Sequence, residues 1–98
     1  MAGIDKIIHE RVRLLILTYV AGHDHNSVSF NELQRTLELT PGNLSVQLKK
    51  LKNAGYINIE KAFRDNKPYT TVGITLTGSD ALNDYVNEME RIIKVLKS

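Results

Sequence analysis

Residues 40–55 constrain the fold most strongly, because they contain both the start signal and the stop signal of a single helix. Thr40 is a good N-cap residue, since its hydroxyl can accept a hydrogen bond from a backbone N–H of the first turn. Pro41 suits the first helical position, where the missing N–H costs nothing. Gly55 supplies the left-handed residue with which helices commonly end. We therefore predict a helix over residues 40–54.

The two sides of this predicted helix differ in chemistry. Leu44, Leu48 and Leu51 recur at helical spacing and form one narrow apolar stripe. The opposite side consists of small, amide, hydroxyl and basic residues and one valine: Gly42, Asn43, Ser45, Val46, Lys49 and Lys50. A helix that is anchored by one face offers the other to a hydrogen-bonding, negatively charged surface, and DNA is the natural candidate.

Positive charge is concentrated in this helix and in the segment that follows it. The chain of 98 residues carries a net charge of +2, but residues 40–72 contain six cations and two carboxylates, a net charge of +4 that leaves −2 for the rest. Nucleic-acid-binding proteins concentrate their basic residues in this way. Basic segments are also common on plain solvated surfaces, so charge alone leaves both interpretations open.

Length and composition exclude several classes of protein. A chain of this length is expected to form one domain, residues 1–98. The sequence contains no cysteine, which excludes disulfides, thiolate metal sites and cysteine nucleophiles. Charged residues interrupt the apolar segment 4–21, so we expect no signal peptide, no membrane span and a cytoplasmic location. No Gly-rich phosphate loop, nucleophile elbow or carboxylate pair occurs, so we expect neither an enzyme nor a bound cofactor.

Residues 4–21 are predicted to form the first helix, because apolar residues recur on one face at helical spacing. Further apolar residues lie off this face, as in a helix that is buried on more than one side. The loop that follows contains His23, Asp24 and His25. Two histidines beside an aspartate suggest a metal site, but a polar turn has the same composition, and we predict no metal there.

The remaining elements are a second helix, a hairpin and a long last helix. A capping box at Ser29 predicts a helix over residues 30–38, joined by a tight link to the third helix as in a helix-turn-helix. Two alternating segments around a polar tip predict a two-stranded hairpin over residues 56–76. Thr77 is predicted to cap the last helix, residues 78–97, in which apolar residues recur at spacings of three and four.

This order of elements resembles the winged helix-turn-helix regulators of the MarR and ArsR type, in particular small stand-alone transcriptional regulators. The resemblance rests on four segments: Leu39–Leu51, Ala54–Ile57, Lys67–Thr71 and Leu76–Gly78. It implies an α+β, mostly helical fold with a three-helix core, a two-stranded wing and a long C-terminal dimerisation helix. It also implies a homodimer that binds double-stranded DNA to control transcription, and it allows a small-molecule effector at the dimer interface. A winged helix that binds protein or RNA instead is the alternative function.

The expected DNA contacts lie on the third helix, which would read the major groove, and on the wing. The predicted set is Thr40, Pro41, Gly42, Asn43, Ser45, Val46, Gln47, Lys49, Lys50, Arg64, Lys67 and Tyr69. Asn43 is expected to pair with adenine, and Ser45 can either donate or accept. Val46 is either a partner for a thymine methyl group or a tolerated surface residue. Tyr69 either donates to a phosphate or packs against the wing, and the cations are expected to bind phosphates or, at the wing tip, the minor groove.

The expected dimer interface combines the first and last helices, because a domain this small cannot cover all of their apolar residues internally. The predicted set is Ile7, Leu14, Leu17, Leu82, Tyr85, Val86, Met89, Ile92, Ile93 and Leu96. A two-fold axis between two copies would place their third helices about one DNA turn, roughly 34 Å, apart.

Overall fold

The computed structural model of the chain describes residues 4–98. Within this range the chain forms four α-helices, a short 3-10 turn (Asp24–Asn26) and three strands. In chain order the elements are α1 (Arg11–Ala21), β1 (Ser27–Ser29), α2 (Phe30–Thr36), α3 (Pro41–Asn53), β2 (Ile57–Arg64), β3 (Lys67–Ile74) and α4 (Leu76–Lys97). The strands form one antiparallel sheet in the order β1-β3-β2. The predicted α+β, mostly helical winged-helix fold is confirmed.

The core lies between the helices and the inner face of the sheet. Its fully buried side chains come from all of these layers: Ile8, Ile16, Leu17, Val20, Leu33, Leu44, Leu51 and Val72. The leucine stripe of α3 is therefore buried as predicted. The predicted hairpin is extended by β1, in which Val28 pairs with Val72 of β3. This third strand ties the start of α2 to the sheet and so fixes the helix-turn-helix on the base of the wing.

The first helix begins at Arg11, seven residues later than the sequence pattern predicted. The carboxylate of Asp5 accepts hydrogen bonds from two backbone N–H groups of the next turn, at 2.8 and 3.2 Å. Glu10 then adopts an extended conformation (φ −154°) and its carboxylate accepts the N–H groups of Val12 and Arg13. Apolar spacing alone does not reveal these side-chain caps, which break one predicted helix into a turn and a shorter helix.

The ends of the other elements also differ by a few residues from the prediction. α2 ends at Thr36 rather than at residue 38, because Glu38 adopts a left-handed conformation (φ 54°). The hairpin turns at Asp65 and Asn66, which both have positive φ, as a two-residue hairpin loop requires. Gly55 has the left-handed conformation (φ 81°) that ends α3 as predicted.

The last helix begins two residues before the predicted start. Thr75, rather than Thr77, is its N-cap, and the Thr75 hydroxyl accepts the N–H of Gly78 at 2.9 Å. The first turn rests on the backbone of Tyr56, and a Cβ at Gly78 would lie 2.8 Å from the Tyr56 carbonyl carbon. Only glycine permits this approach without a shift of the helix or of the chain before β2.

The C-terminal half of α4 extends beyond the core. From Glu90 to Ser98 every residue is exposed, and Leu96 keeps 79% of its surface. The molecule is accordingly elongated, with extents of 56 × 25 × 23 Å. None of the helices within residues 4–98 is long and apolar enough to cross a membrane.

The histidine-containing loop is held by contacts to α1 and α2. The Nδ1 atom of His23 lies 2.7 Å from the carbonyl oxygen of Tyr19, and its Nε2 atom lies 3.2 Å from a carboxylate oxygen of Glu32. The Tyr19 hydroxyl donates to the same oxygen at 2.7 Å. In the part of the chain that the structure describes, no three histidine or carboxylate side chains converge as metal ligands would.

Candidate nucleic-acid interface

The orientation of α3 is set at both ends and along its inner face. The Thr40 hydroxyl accepts the N–H of Asn43 at 3.1 Å, as predicted for the N-cap. At the other end, the N–H of Tyr56 donates to the carbonyl oxygen of Leu51 at 3.0 Å, which closes the helix around Gly55. Because the leucine stripe is buried, the remaining face of α3 must turn towards solvent.

The structure places most of the predicted base-reading and phosphate-binding residues together on this outer face. The exposed members are Thr40, Pro41, Gly42, Asn43, Ser45, Val46, Lys49 and Lys50. Val46 keeps 52% of its surface, so no neighbouring element covers it. A Cβ at Gly42 would meet nothing within 4 Å, so the first turn of α3 is open to close approach by another molecule.

Gln47 is the exception, because it is half-buried and its amide group is already bonded. Its Oε1 atom accepts a hydrogen bond from Nη1 of Arg13 at 2.7 Å. Its Nε2 atom donates to Oδ1 of Asn43 at 3.1 Å. Gln47 thus connects α1 to the exposed turn of α3, and its Oε1 atom is turned inward towards Arg13.

The wing carries its two predicted cations on either side of the turn. Arg64 and Lys67 are exposed and pair across the hairpin. The guanidinium of Arg64 lies 4.6 Å from the centre of the Tyr69 ring, a cation–π distance. The Tyr69 ring thus packs against the Arg64 guanidinium, and its predicted contact to a phosphate stays a prediction. Phe63 beside them is largely exposed, which the sequence prediction did not include.

A cleft of about 850 Å³ lies between α3 and the sheet. Three lysines line it: Lys49 and Lys52 from α3 and Lys61 from β2. Lys52 and Lys61 were missing from the predicted set, because only the packing of β2 beside α3 makes both residues line one cleft. Basic side chains therefore lie on α3, in the cleft and at the wing tip.

The carboxylate of Glu10 lies at the edge of this surface. Partial burial acts to raise its pKa, but the N–H groups of Val12 and Arg13 and the charges of Arg13 and Lys50 outweigh burial and lower the pKa. Glu10 is therefore ionised at neutral pH and lies 3.6 Å from the Arg13 guanidinium. This pair anchors Arg13 below the face of α3.

The predicted dimer interface is only partly available on the surface. Leu17 is fully buried within its own chain, and Leu82 and Tyr85 are almost fully buried, so these three residues belong to the core. Tyr85 also lies 2.8 Å from Nδ1 of His9. Helical spacing showed that these residues are apolar but not which neighbour covers them. Of the predicted set, Val86, Ile92, Ile93 and Leu96 are exposed, and Ile7, Leu14 and Met89 are half-buried.

Comparisons with known proteins agree with this architecture. The family described as winged helix DNA-binding domain matches residues 12–93. An uncharacterized protein of Methanocaldococcus jannaschii is 34% identical over 89 residues, which cover 91% of this chain and 95% of the relative. The structure of a transcriptional regulator homologue from Pyrococcus horikoshii OT3 is 28% identical, with a TM-score of 0.86 over 94% of this chain and 89% of that one. The Staphylococcus aureus MepR–DNA complex has the same fold at 15% identity, with a TM-score of 0.75 over 94% and 73% of the two chains.

Proposed function

Because the chain belongs to the winged helix DNA-binding domain family, a family of DNA-binding regulators rather than of enzymes, we propose that it is a sequence-specific transcriptional regulator that binds duplex DNA as a homodimer. The observation that carries the proposal is the outer face of α3, which is anchored by three buried leucines and presents exposed amide, hydroxyl and basic groups. The similar transcriptional regulator homologue from Pyrococcus horikoshii OT3 and the MepR structure determined with DNA support the same role.

In the proposed complex the N-terminal half of α3 enters the major groove, as the second helix of a helix-turn-helix does. Asn43, Ser45 and Val46 then face base edges. Lys49, Lys52 and Lys61 surround the cleft beside α3 and neutralise the phosphates of the strand that crosses it. Arg64, held over Tyr69, and Lys67 reach the neighbouring part of the duplex from the wing tip.

The proposed dimer forms through the part of α4 that extends beyond the core. The apolar stripe that packs inside the domain continues past Met89 as Ile92, Ile93 and Leu96, which nothing within residues 4–98 covers. Exposed apolar surface of this kind marks an association surface. A second copy is the natural occupant, because it would bring an identical stripe.

The charges on α4 favour an antiparallel arrangement of the two copies. Residues 76–90 contain four carboxylates and no cation, whereas residues 91–98 contain three cations and no carboxylate. Antiparallel helices that cross near Met89 place the acidic half of each helix beside the basic half of its partner, and parallel pairing places like charges together. The two-fold axis that results gives two α3 helices related by symmetry, as an inverted repeat requires.

Selection of bound duplexes from a random pool tests the proposal. We expect an inverted repeat whose half-sites lie about one helical turn, roughly 34 Å, apart. About six phosphate contacts per dimer predict a slope near −5 when log affinity is plotted against log salt concentration. Recovery of no duplex, or stronger binding to RNA or to a protein partner, would contradict the proposed function.

Two substitutions on α3 separate the proposed roles of its side chains. Lys50→Ala should weaken binding to all duplexes alike and reduce the salt slope by about one per protomer, because one phosphate contact is lost. Asn43→Ala should relax the preference for one base pair in each half-site, because a base contact is lost. Competition binding with single-position variants of the selected site measures both effects, and the reverse pattern would contradict the roles assigned here.

A further inference from the structure

A buried guanidinium lies directly beneath the outer face of α3. Arg13 keeps only 9% of its surface, although it carries a charge. Its Nε atom donates to the carbonyl oxygen of Ile7 at 2.6 Å, and its Nη1 atom donates to Oε1 of Gln47 at 2.7 Å. The carboxylate of Glu10 lies 3.6 Å away and balances the charge. Arg13 is therefore fixed from three sides, and one of its bonds reaches α3.

The chemistry of these groups determines which way each amide points. A guanidinium has hydrogen-bond donors and no acceptor, so the atom of Gln47 that faces Arg13 must be the oxygen. The nitrogen of Gln47 then faces the other way, towards Asn43, 3.1 Å from its side-chain oxygen. Since an amide nitrogen only donates, the group of Asn43 that it meets must be Oδ1. The Nδ2 group of Asn43 is left on the exposed side.

We propose that Arg13, acting through Gln47, sets the hydrogen-bonding polarity of Asn43, so that Asn43 presents N–H donors and selects a base edge rich in acceptors. The inference rests on the proposed function and refines it. In the major groove guanine offers two acceptors, N7 and O6, whereas adenine offers one acceptor and one donor. Asn43 with its oxygen turned inward matches guanine, in place of the adenine contact expected from the amide group alone. Arg13 and Gln47 are positioning residues, because neither needs to touch the DNA.

Gln47→Glu tests the polarity directly. The carboxylate of the variant still accepts from Arg13, but it has no N–H to donate to Asn43. It can only accept from Asn43, whose amide must then rotate and turn Oδ1 outward. We expect the preferred base at the contacted position to change from guanine to one that presents a donor, cytosine or adenine. The affinity for a duplex with guanine at this position, relative to the affinity for a duplex with cytosine or adenine there, should fall by on the order of tenfold.

Lys50→Gln is the matched control, because it changes the charge of α3 by the same amount and leaves the three linked residues intact. It should lower affinity for all duplexes and keep the preferred base of the unaltered protein. Arg13→Met keeps an unbranched apolar side chain but removes the guanidinium donors, and the base preference should relax because the Gln47 amide is no longer oriented. A thermal unfolding curve of each variant identifies loss of the fold, which would lower the binding of every duplex rather than change the preferred base.

A measurement on the free protein completes the test. In the ¹⁵N–¹H spectrum the side-chain amide signals of Gln47 and Asn43 should both shift in Arg13→Met, whereas Lys50→Gln should leave them in place. Unchanged amide signals in Arg13→Met would overturn the inference without any reference to DNA. Selection of the same base by the unaltered protein and by Gln47→Glu would overturn it while leaving the proposed function intact. Failure to select any duplex would overturn the proposed function, and the base-reading role of Asn43 with it.

Discussion

At the scale of single residues, the contacts between polar groups from distant parts of the chain are the ones that could not be predicted from the sequence. Asp5 is an example, since its carboxylate caps the turn before α1 and also accepts the hydroxyl hydrogen of Tyr56, 51 residues away. Arg13 and Gln47 are a second example, 34 residues apart in the chain. Neither pair has a local sequence signal, because each depends on the packing of α1 against elements that follow much later.

The contact between Tyr56 and Asp5 predicts an alkaline transition. The hydrogen bond to Asp5, burial and the negative charge of Asp5 together raise the pKa of Tyr56 to about 12. A raised pKa means that the folded state is stabilised below the ordinary tyrosine value of about 10, and that this stabilisation is lost as pH rises towards 12. We expect an ultraviolet titration to show one tyrosine ionising near pH 12, and Tyr56→Phe to remove this step. A titration of Tyr56→Phe identical to that of the unaltered protein would contradict the assignment.

At the scale of elements, the sequence predicted best those helices whose ends are marked by neighbouring residues. α3 was predicted to within one residue at each end, because Thr40, Pro41 and Gly55 all act locally. The outer face of α3 followed from the leucine stripe, since three buried leucines determine the orientation of the rest of the helix. The basic cleft did not follow, because Lys61 reaches it only through the packing of β2. Likewise, apolar spacing did not separate the core residue Leu17 from residues that remain exposed.

Two glycines in the first turns of helices predict opposite effects on stability. Gly78→Ala should destabilise the protein by about 1–3 kcal/mol, because the added methyl group would overlap the backbone of Tyr56. Gly42→Ala should stabilise it by about 0.4–1 kcal/mol, because the site is open and alanine restricts the unfolded chain. Urea unfolding of both variants measures the difference. Equal effects of the two substitutions would contradict the close contact between α4 and Tyr56.

At the scale of the whole molecule, the packed part of the chain and the exposed C-terminal end of α4 have different roles. The domain buries a complete core and holds α3, the cleft and the wing in fixed positions. After Tyr85, α4 contributes no buried residue to the core. The apolar residues of its exposed end therefore add little to the stability of a single chain, and their pattern is explained by the proposed pairing of two chains.

A charge placed on the exposed stripe should separate the two copies. Ile93→Glu should give a monomer with nearly unchanged unfolding behaviour at low concentration, because Ile93 is half exposed and lies outside the core. Asn87→Glu is the control, since residue 87 lies on the opposite side of α4 and a glutamate there faces solvent. Sedimentation equilibrium at micromolar concentration distinguishes the two variants. A monomeric unaltered protein would contradict the dimer and the inverted repeat together.

The exposed C-terminal end of α4 would also determine the spacing of the DNA half-sites. In the proposed dimer, the point at which the two α4 helices cross determines the distance between the two α3 helices. An α-helix rises 1.5 Å per residue, so sliding the crossing point by one heptad moves each α3 helix by about 10 Å from the two-fold axis and changes the distance between the two by about 20 Å, or roughly six base pairs. The length of α4, a helix that does not contact the DNA, would then determine the distance between the half-sites of the operator.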